Sequence, residues 1–278
     1  MKLLRFQADR GIATAALTDR GVVDLGPSFD DFAAAVTADG RRRAAAQLES
    51  GAAARAVPLA SVRLAAPIAT GARIICIGLN YRDHVSEAGR EMPAQPSVFT
   101  RTHQSVVAPG APMRRPQAST HYDFEGELAL VIGSPVRSIA ESDALGCIGG
   151  YTCFNDGSIR DYQKHSLTVG KNFDDSGSCG PWVVTADEIP DPTRLELTTR
   201  LNGETMQHAT TDLLIYGIPF IISYLSRVTQ LRPGDLIATG TPSGVGLGRK
   251  PPLWMKPGDR IEVEIGGIGT LSNPIEAA

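Results

Sequence analysis

Glu125 and Glu127 stand two residues apart in the segment HYDFEGELALVIG, residues 121–133. A strand sends alternate side chains to one face, so both carboxylates point the same way. Two like charges side by side repel unless they share a proton or a cation lies between them, and an all-oxygen cluster suits a hard divalent ion such as Mg2+ or Mn2+. A solvated strand face, with Asp123 as a third exposed acid, is the competing explanation; the apolar LALVIG that follows argues for burial. Asp156 closes the apolar run GGYTCFND, a position from which loop side chains commonly enter a site. It is also a residue type that caps a helix such as SIRDYQ. Arg160 and Gln163 follow four and seven residues on, either sharing a helix face with Asp156 or forming plain polar surface.

His84 and Glu87 are three apart in YRDHVSEAG, so a short helix presents both on one face. A carboxylate beside an imidazole fixes its tautomer and raises its basicity, which suits general-base work, although a surface ion pair has the same spacing. Lys171 is one of five lysines against twenty-two arginines, which makes a lysine between Gly170 and Phe173 notable; a solvated loop residue is the plain alternative. Thr239, Thr241 and the glycines of TGTPSGVG form a tight loop whose amides and hydroxyls could hold a carboxylate, or a plain glycine turn. The loop lacks the GK[ST] ending of a nucleotide-binding loop and carries Pro242.

These residues need strands to carry them. RIICIGLN, GELALVIG, CIGGYTCFND, PWVVT, LELTTRLNGE, DLIATG and RIEVEIGGIGTL all read as strands, with PGD turns at Pro233 and Pro257. Helical patterns are fewer: YRDHVSEAG, a short piece from Ser158 to His165, and TTDLLIYGIPFIISYLSRVT, in which Pro219 starts or kinks the helix. Before them, MKLLRFQA, GIATAAL and GVVDLG predict a small antiparallel meander. Two helices then follow between Ser28 and about Ala56, broken near Asp39-Gly40. Pro58 and Pro67 bracket a linker, giving a small α/β module over 1–66 and a catalytic domain over 67–278.

The chain has 278 residues, 42% hydrophobic, with 27 basic against 30 acidic side chains and a net charge of −3. No basic patch marks a nucleic acid or anionic membrane as partner, and no apolar run approaches the roughly 20 residues of a membrane span. Arg5, Asp9 and Arg10 interrupt the N-terminal stretch where a secretory signal would be apolar, which predicts a cytoplasmic protein. Four cysteines without CxxC spacing read as reduced core thiols.

Taken together, IGLNYRDHVSE, DFEGELALVIG, GYTCFNDGSIRDYQ, GKNFD, GPW, LNGE, PGDLIATGTPSGVG and PGDRIEVEIGGIGTL cover nearly all of residues 70–275. In that order they resemble the fumarylacetoacetate hydrolase family, and within it the acylpyruvate hydrolases and oxaloacetate decarboxylases. The resemblance implies an α+β, mainly β fold: a mixed β-roll core with the N-terminal module, assembled as a homodimer. It makes Glu125, Glu127 and Asp156 the ligands of one Mg2+ or Mn2+ per chain and moves Asp123 behind them. It gives His84 and Glu87 a place on a lid that activates water, and Lys171 the stabilisation of an oxyanion. Arg160, Gln163 and Thr241 would contact the substrate. Where many relatives carry a Lys in an FxK segment, this chain has Arg101, which would then touch the far end of the substrate. The implied reaction is hydrolysis of a C–C bond in an acylpyruvate or other 2,4-dioxo acid. Decarboxylation of oxaloacetate and isomerisation of a hydroxy-diene dioate are the alternatives, and a metal-binding assembly protein is the reading outside enzymology.

Overall fold

A computed structural model describes residues 1–278. Eleven strands form one large mixed sheet. Its main path runs Gly21–Asp24, Gly11–Thr18, Lys2–Ala8, Gly177–Thr185, Ile148–Asn155, Gly126–Ile132, Leu236–Ala238, Ile74–Gly78 and Ser97–Arg101. A second sheet of five strands runs Glu204–Thr210, Glu196–Leu201, Arg260–Ile265, Gly269–Ala277 and Met113–Arg115. The fold is therefore α+β, with a mixed β-roll core and few helices. No helix is long and apolar enough to cross a membrane.

Residues 126–132 are buried on both faces of the large sheet, hence their near-continuous apolar sequence. Leu128, Leu130 and Ile132 pack with Leu197, Val263 and Leu271 of the second sheet. The helix Ile218–Val228 joins them through Ile218, Ile221, Ile222 and Leu225, and its proline lies in the first turn, where a missing N–H leaves no gap. Ala129 and Val131 face the other way, towards Phe32, Cys76, Phe154 and Val183. Each such aliphatic side chain stabilises the fold by about 1.5–3 kcal/mol when fully buried. All four cysteines are buried free thiols.

The first strand lies within the large sheet beside Gly177–Thr185, Lys2 opposite Val184 and Leu3 opposite Val183. The helices that follow begin later and break earlier than the composition predicts. Helix α1 spans Phe32–Ala35 and is capped by Asp31; α2 spans Ala38–Glu49 and is capped by Thr37. Gly40 lies in the first turn of α2 and does not break a helix, because a Cβ there would sit 2.1 Å from the Ala34 carbonyl oxygen. The glycine serves a close approach between α1 and α2, a long-range demand that reads locally as a break.

Candidate active site

Gly126 stands opposite Asn155 in the antiparallel pair, and the Asp156 N–H donates to the Glu125 carbonyl at 2.8 Å. The face that carries Ala129 and Val131 continues outward through Glu127 to Glu125, which just precedes the strand. Pairing thus places Asp156 beside both glutamates. One carboxylate oxygen from each of the three lies within 4.8 Å of the others, and all three residues are buried.

Cations surround two of these acids. The Lys171 ammonium lies 2.5 Å from Glu125 Oε2 and 2.6 Å from Asp156 Oδ2. Arg160 reaches Glu125 at 2.6 Å and Asp123 at 2.8 Å, and donates to Gln163 Oε1 at 2.9 Å. Burial by itself would raise the Glu125 carboxyl, but Lys171, Arg160 and His84 hold it below its usual range. Burial opposes the charge on Lys171 as well, and Asp156 with Glu125 outweighs it, so the ammonium is held more firmly than usual. Glu127 differs. Its carboxylate accepts only the Gly240 N–H, at 2.8 Å. Burial, then the charges of Asp156 and Glu125, push it well above the carboxylate range. An all-oxygen donor set with uncompensated negative charge fits a hard divalent cation, which would restore Glu127 to its ordinary ionised form.

The loop 240–247 organises the rest. Gly244 N–H donates to Glu87 at 3.0 Å, while Gly246 and Leu247 N–H groups donate to Asp123 at 2.7 and 3.0 Å. Helix α3, Arg82–Glu87, brings His84 Nδ1 to 3.3 Å from Glu87 Oε2. Buried Asn80 anchors its root: its amide donates to the carbonyls of Tyr216 and Thr239 and accepts from Tyr216 N–H. The Tyr216 hydroxyl donates to the Pro93 carbonyl at 2.6 Å, fastening the far side of the segment.

A cavity of about 410 Å3 lies between α3, the loop and the acids. The structure brings His84, Glu87, Glu125, Glu127, Arg160, Gln163, Lys171 and Thr241 to its wall. Asp156 lies beneath them, in contact with Lys171. Thr241 directs its hydroxyl to the Gly126 carbonyl, and the loop amides of residues 240, 244, 246 and 247 serve the chain's own acids. These groups are therefore spent on positioning, not free for a substrate carboxylate. Arg101 is the larger departure. It is buried behind Asp156, away from the cavity wall, and donates to Asp156 Oδ1 at 2.6 Å, to the Gly157 and Ser105 carbonyls and to the hydroxyls of Ser105 and Ser176. Gly177 makes room, since a Cβ there would lie 2.8 Å from the guanidinium. With its donors consumed, Arg101 has nothing to offer the far end of a substrate.

Sequence reasoning missed Asn80 and Gln207. The Gln207 amide accepts from Gly126 N–H and donates to Thr241 and Pro242. An inward-facing glutamine in the strand ETMQHAT, Glu204–Thr210, offered only a weak signal, because its partners lie over thirty residues away.

A β-roll whose strand ends carry three converging buried carboxylates defines a class of candidate metal-assisted enzymes. The chain belongs to the fumarylacetoacetate hydrolase family: the profile described as fumarylacetoacetate (FAA) hydrolase C-terminal matches residues 73–276. It is 43% identical over 223 residues to oxaloacetate tautomerase YisK of Bacillus subtilis, covering 78% of this chain and 74% of that one. Among solved structures it is similar to 2-hydroxyhepta-2,4-diene-1,7-dioate isomerase from Mycobacterium marinum, at 35% identity and a TM-score of 0.79, covering 100% and 98% of the two chains. It is also similar to maleylpyruvate hydrolase from Sphingobium sp. SYK-6 in complex with manganese(II) and pyruvate, at 28% identity and a TM-score of 0.82, covering both chains fully. Family, fold and acidic triad together support metal-assisted catalysis on a 2-oxo acid.

Proposed function

We propose that this protein interconverts the keto and enol forms of a short 2-oxo diacid, oxaloacetate being the simplest, with one Mg2+ or Mn2+ held by Glu125, Glu127 and Asp156. The observation that carries the reading is that one cavity joins a buried carboxylate triad to a His–Glu pair. The bound cation would act as a Lewis acid towards the 2-oxo acid, easing the build-up of negative charge on its oxygen. Everything else falls to the chain. Glu87, fixed by Gly244, engages His84 Nδ1 and leaves Nε2 as the nitrogen that takes a proton from C3 and returns it to oxygen or carbon. Lys171 supplies fixed positive charge beside Glu125 and Asp156. Relatives named as an oxaloacetate tautomerase and a diene-dioate isomerase support proton transfer as the central step.

Hydrolysis of an acylpyruvate C–C bond is the second reading, favoured by the likeness to a maleylpyruvate hydrolase and by the same pair, which could equally deprotonate water. Decarboxylation needs no base and gains nothing from the pair. The deciding experiment follows oxaloacetate enol decay, acetylpyruvate and fumarylpyruvate cleavage, hydroxy-diene dioate isomerisation and CO2 release, each with Mg2+, with Mn2+ and with chelator. Metal-dependent enol decay without cleavage upholds the first reading; cleavage of either acylpyruvate replaces it with the second. A homodimer, a cytoplasmic location and the division of the chain between residues 66 and 67 belong to the same proposal. Sedimentation, fractionation and limited proteolysis test them in turn.

A further inference from the structure

The cavity holds charged side chains of two kinds. Glu87, Glu125, Glu127, Arg160, Lys171 and His84 all have partners within the chain. Arg90 and Lys164 line the same cavity, and their side chains make no hydrogen bond or ion pair with any other residue. Both are exposed, which puts them at its opening, one just beyond α3 and the other at the end of the short helix Arg160–Gln163.

Charge bookkeeping gives these two cations a purpose. Five carboxylates meet at the base of the cavity and its lid: Asp123, Glu125, Glu127, Asp156 and Glu87. Three cations answer them, Arg101, Arg160 and Lys171. Five acids against these three cations leave two negative charges unanswered, which one divalent ion would match. Each of the three interior cations contacts at least one of these acids. A 2-oxo acid entering this site brings one negative charge at its carboxylate, and a diacid brings two. The only uncommitted positive charge available to either lies at Arg90 and Lys164.

We infer that Arg90 and Lys164 form a carboxylate clamp at the cavity opening that selects 2-oxo acids bearing a second carboxylate over those ending in a neutral group. Leu167, Val245 and Leu247 line the cavity too, and Arg90 and Lys164 are the two cations of its wall without a partner in the chain. Arginine would fork onto the carboxylate oxygens and the lysine would add a mobile point charge. The inference rests on the 2-oxo acid reading above, and names the residues that set its substrate class.

The test is calorimetric, on the full-length Mg2+-loaded protein with oxaloacetate and 2-oxobutyrate, which match at the 2-oxo acid end and differ at the far carbon. Two partly solvated charge pairs give a preference of about tenfold for oxaloacetate in the wild type, weakening with added salt. In Arg90→Gln/Lys164→Gln the ratio should fall close to one, with 2-oxobutyrate binding unchanged; Arg194→Gln, at an exposed distant site, should leave the ratio as it was. A double variant that keeps the wild-type ratio, or that loses both ligands equally, overturns the clamp while leaving the 2-oxo acid reading in place. Failure of both acids to bind the wild type overturns that reading, and the clamp with it.

Discussion

The base of the cavity and its opening are built on opposite principles. At the base, Asp123 accepts from Phe124, Gly246 and Leu247 N–H groups and from Arg160, and Asp156 is held by Arg101 and Lys171. These acids draw their partners from strands and a tight loop, and all are buried. At the opening, Arg90 and Lys164 stand on short, exposed segments with no partner. Buried polar networks are rigid when fully satisfied and costly when broken, whereas exposed charges change at little cost. The contrast teaches that the acids stand where substitution is punished and the unpaired cations where it is tolerated.

The contrast can be broken most decisively at the triad. Glu127→Ala or Asp156→Ala should abolish metal-dependent turnover, and calorimetry should show no Mg2+ or Mn2+ binding while circular dichroism stays native. A variant that still binds one ion with wild-type affinity would show that the acids are structural. Next comes the base: His84→Ala should lower turnover by about 10²–10⁴-fold, with metal affinity untouched. Equal loss of metal binding would mean that α3 forms part of the ion site and that base and opening are not separable.

Arg101→Lys tests how far the rigid region extends. Lysine can reach Asp156 but not also Ser105, Gly157 and Ser176, so metal affinity should weaken by about 10–100-fold, as for other groups that orient metal ligands. Unchanged affinity would reduce Arg101 to a packing residue.

The smallest effect is one of stability. Because Glu127 is raised, the folded metal-free protein holds its proton more tightly than the unfolded chain does. Its favourable contribution is thus complete below the ordinary carboxylate range and is lost as pH rises through the raised value. Glu127→Gln, neutral throughout, should therefore melt higher than the wild type in chelator at pH 8, by about 2–4 °C per kcal/mol, with the gap closing towards pH 5. Saturating Mg2+ should reverse the order. A gap that is independent of pH would place the strain elsewhere.

Much of this site was legible in the sequence because its parts are local. The two-residue spacing of Glu125 and Glu127, the three-residue spacing of His84 and Glu87, and the strand end at Asp156 each follow from the period of a single element. The strands were readable for the same reason. Arg101 was misplaced because its position depends on Ser105, Asp156, Gly157 and Ser176 meeting around it, and three of those four are more than fifty residues distant. The helix break was misplaced because Gly40 answers to Ala34 across a packed turn. The loop 240–247 reads as an anion cradle, which it is, but nothing in its own letters says that the anions belong to the chain.

That loop has a mechanical consequence. Gly240 carries Glu127, Gly244 carries Glu87, and Gly246 with Leu247 carries Asp123, all within eight residues of backbone. A member of the acidic triad, the carboxylate beside His84 and the anchor of Arg160 share one mounting. A displacement of the loop would reach all three of these acids at once, while Glu125 and Asp156 stay held by Lys171, Arg160 and Arg101. Registration between the two sets of acids thus depends on the loop keeping its place against groups anchored outside it.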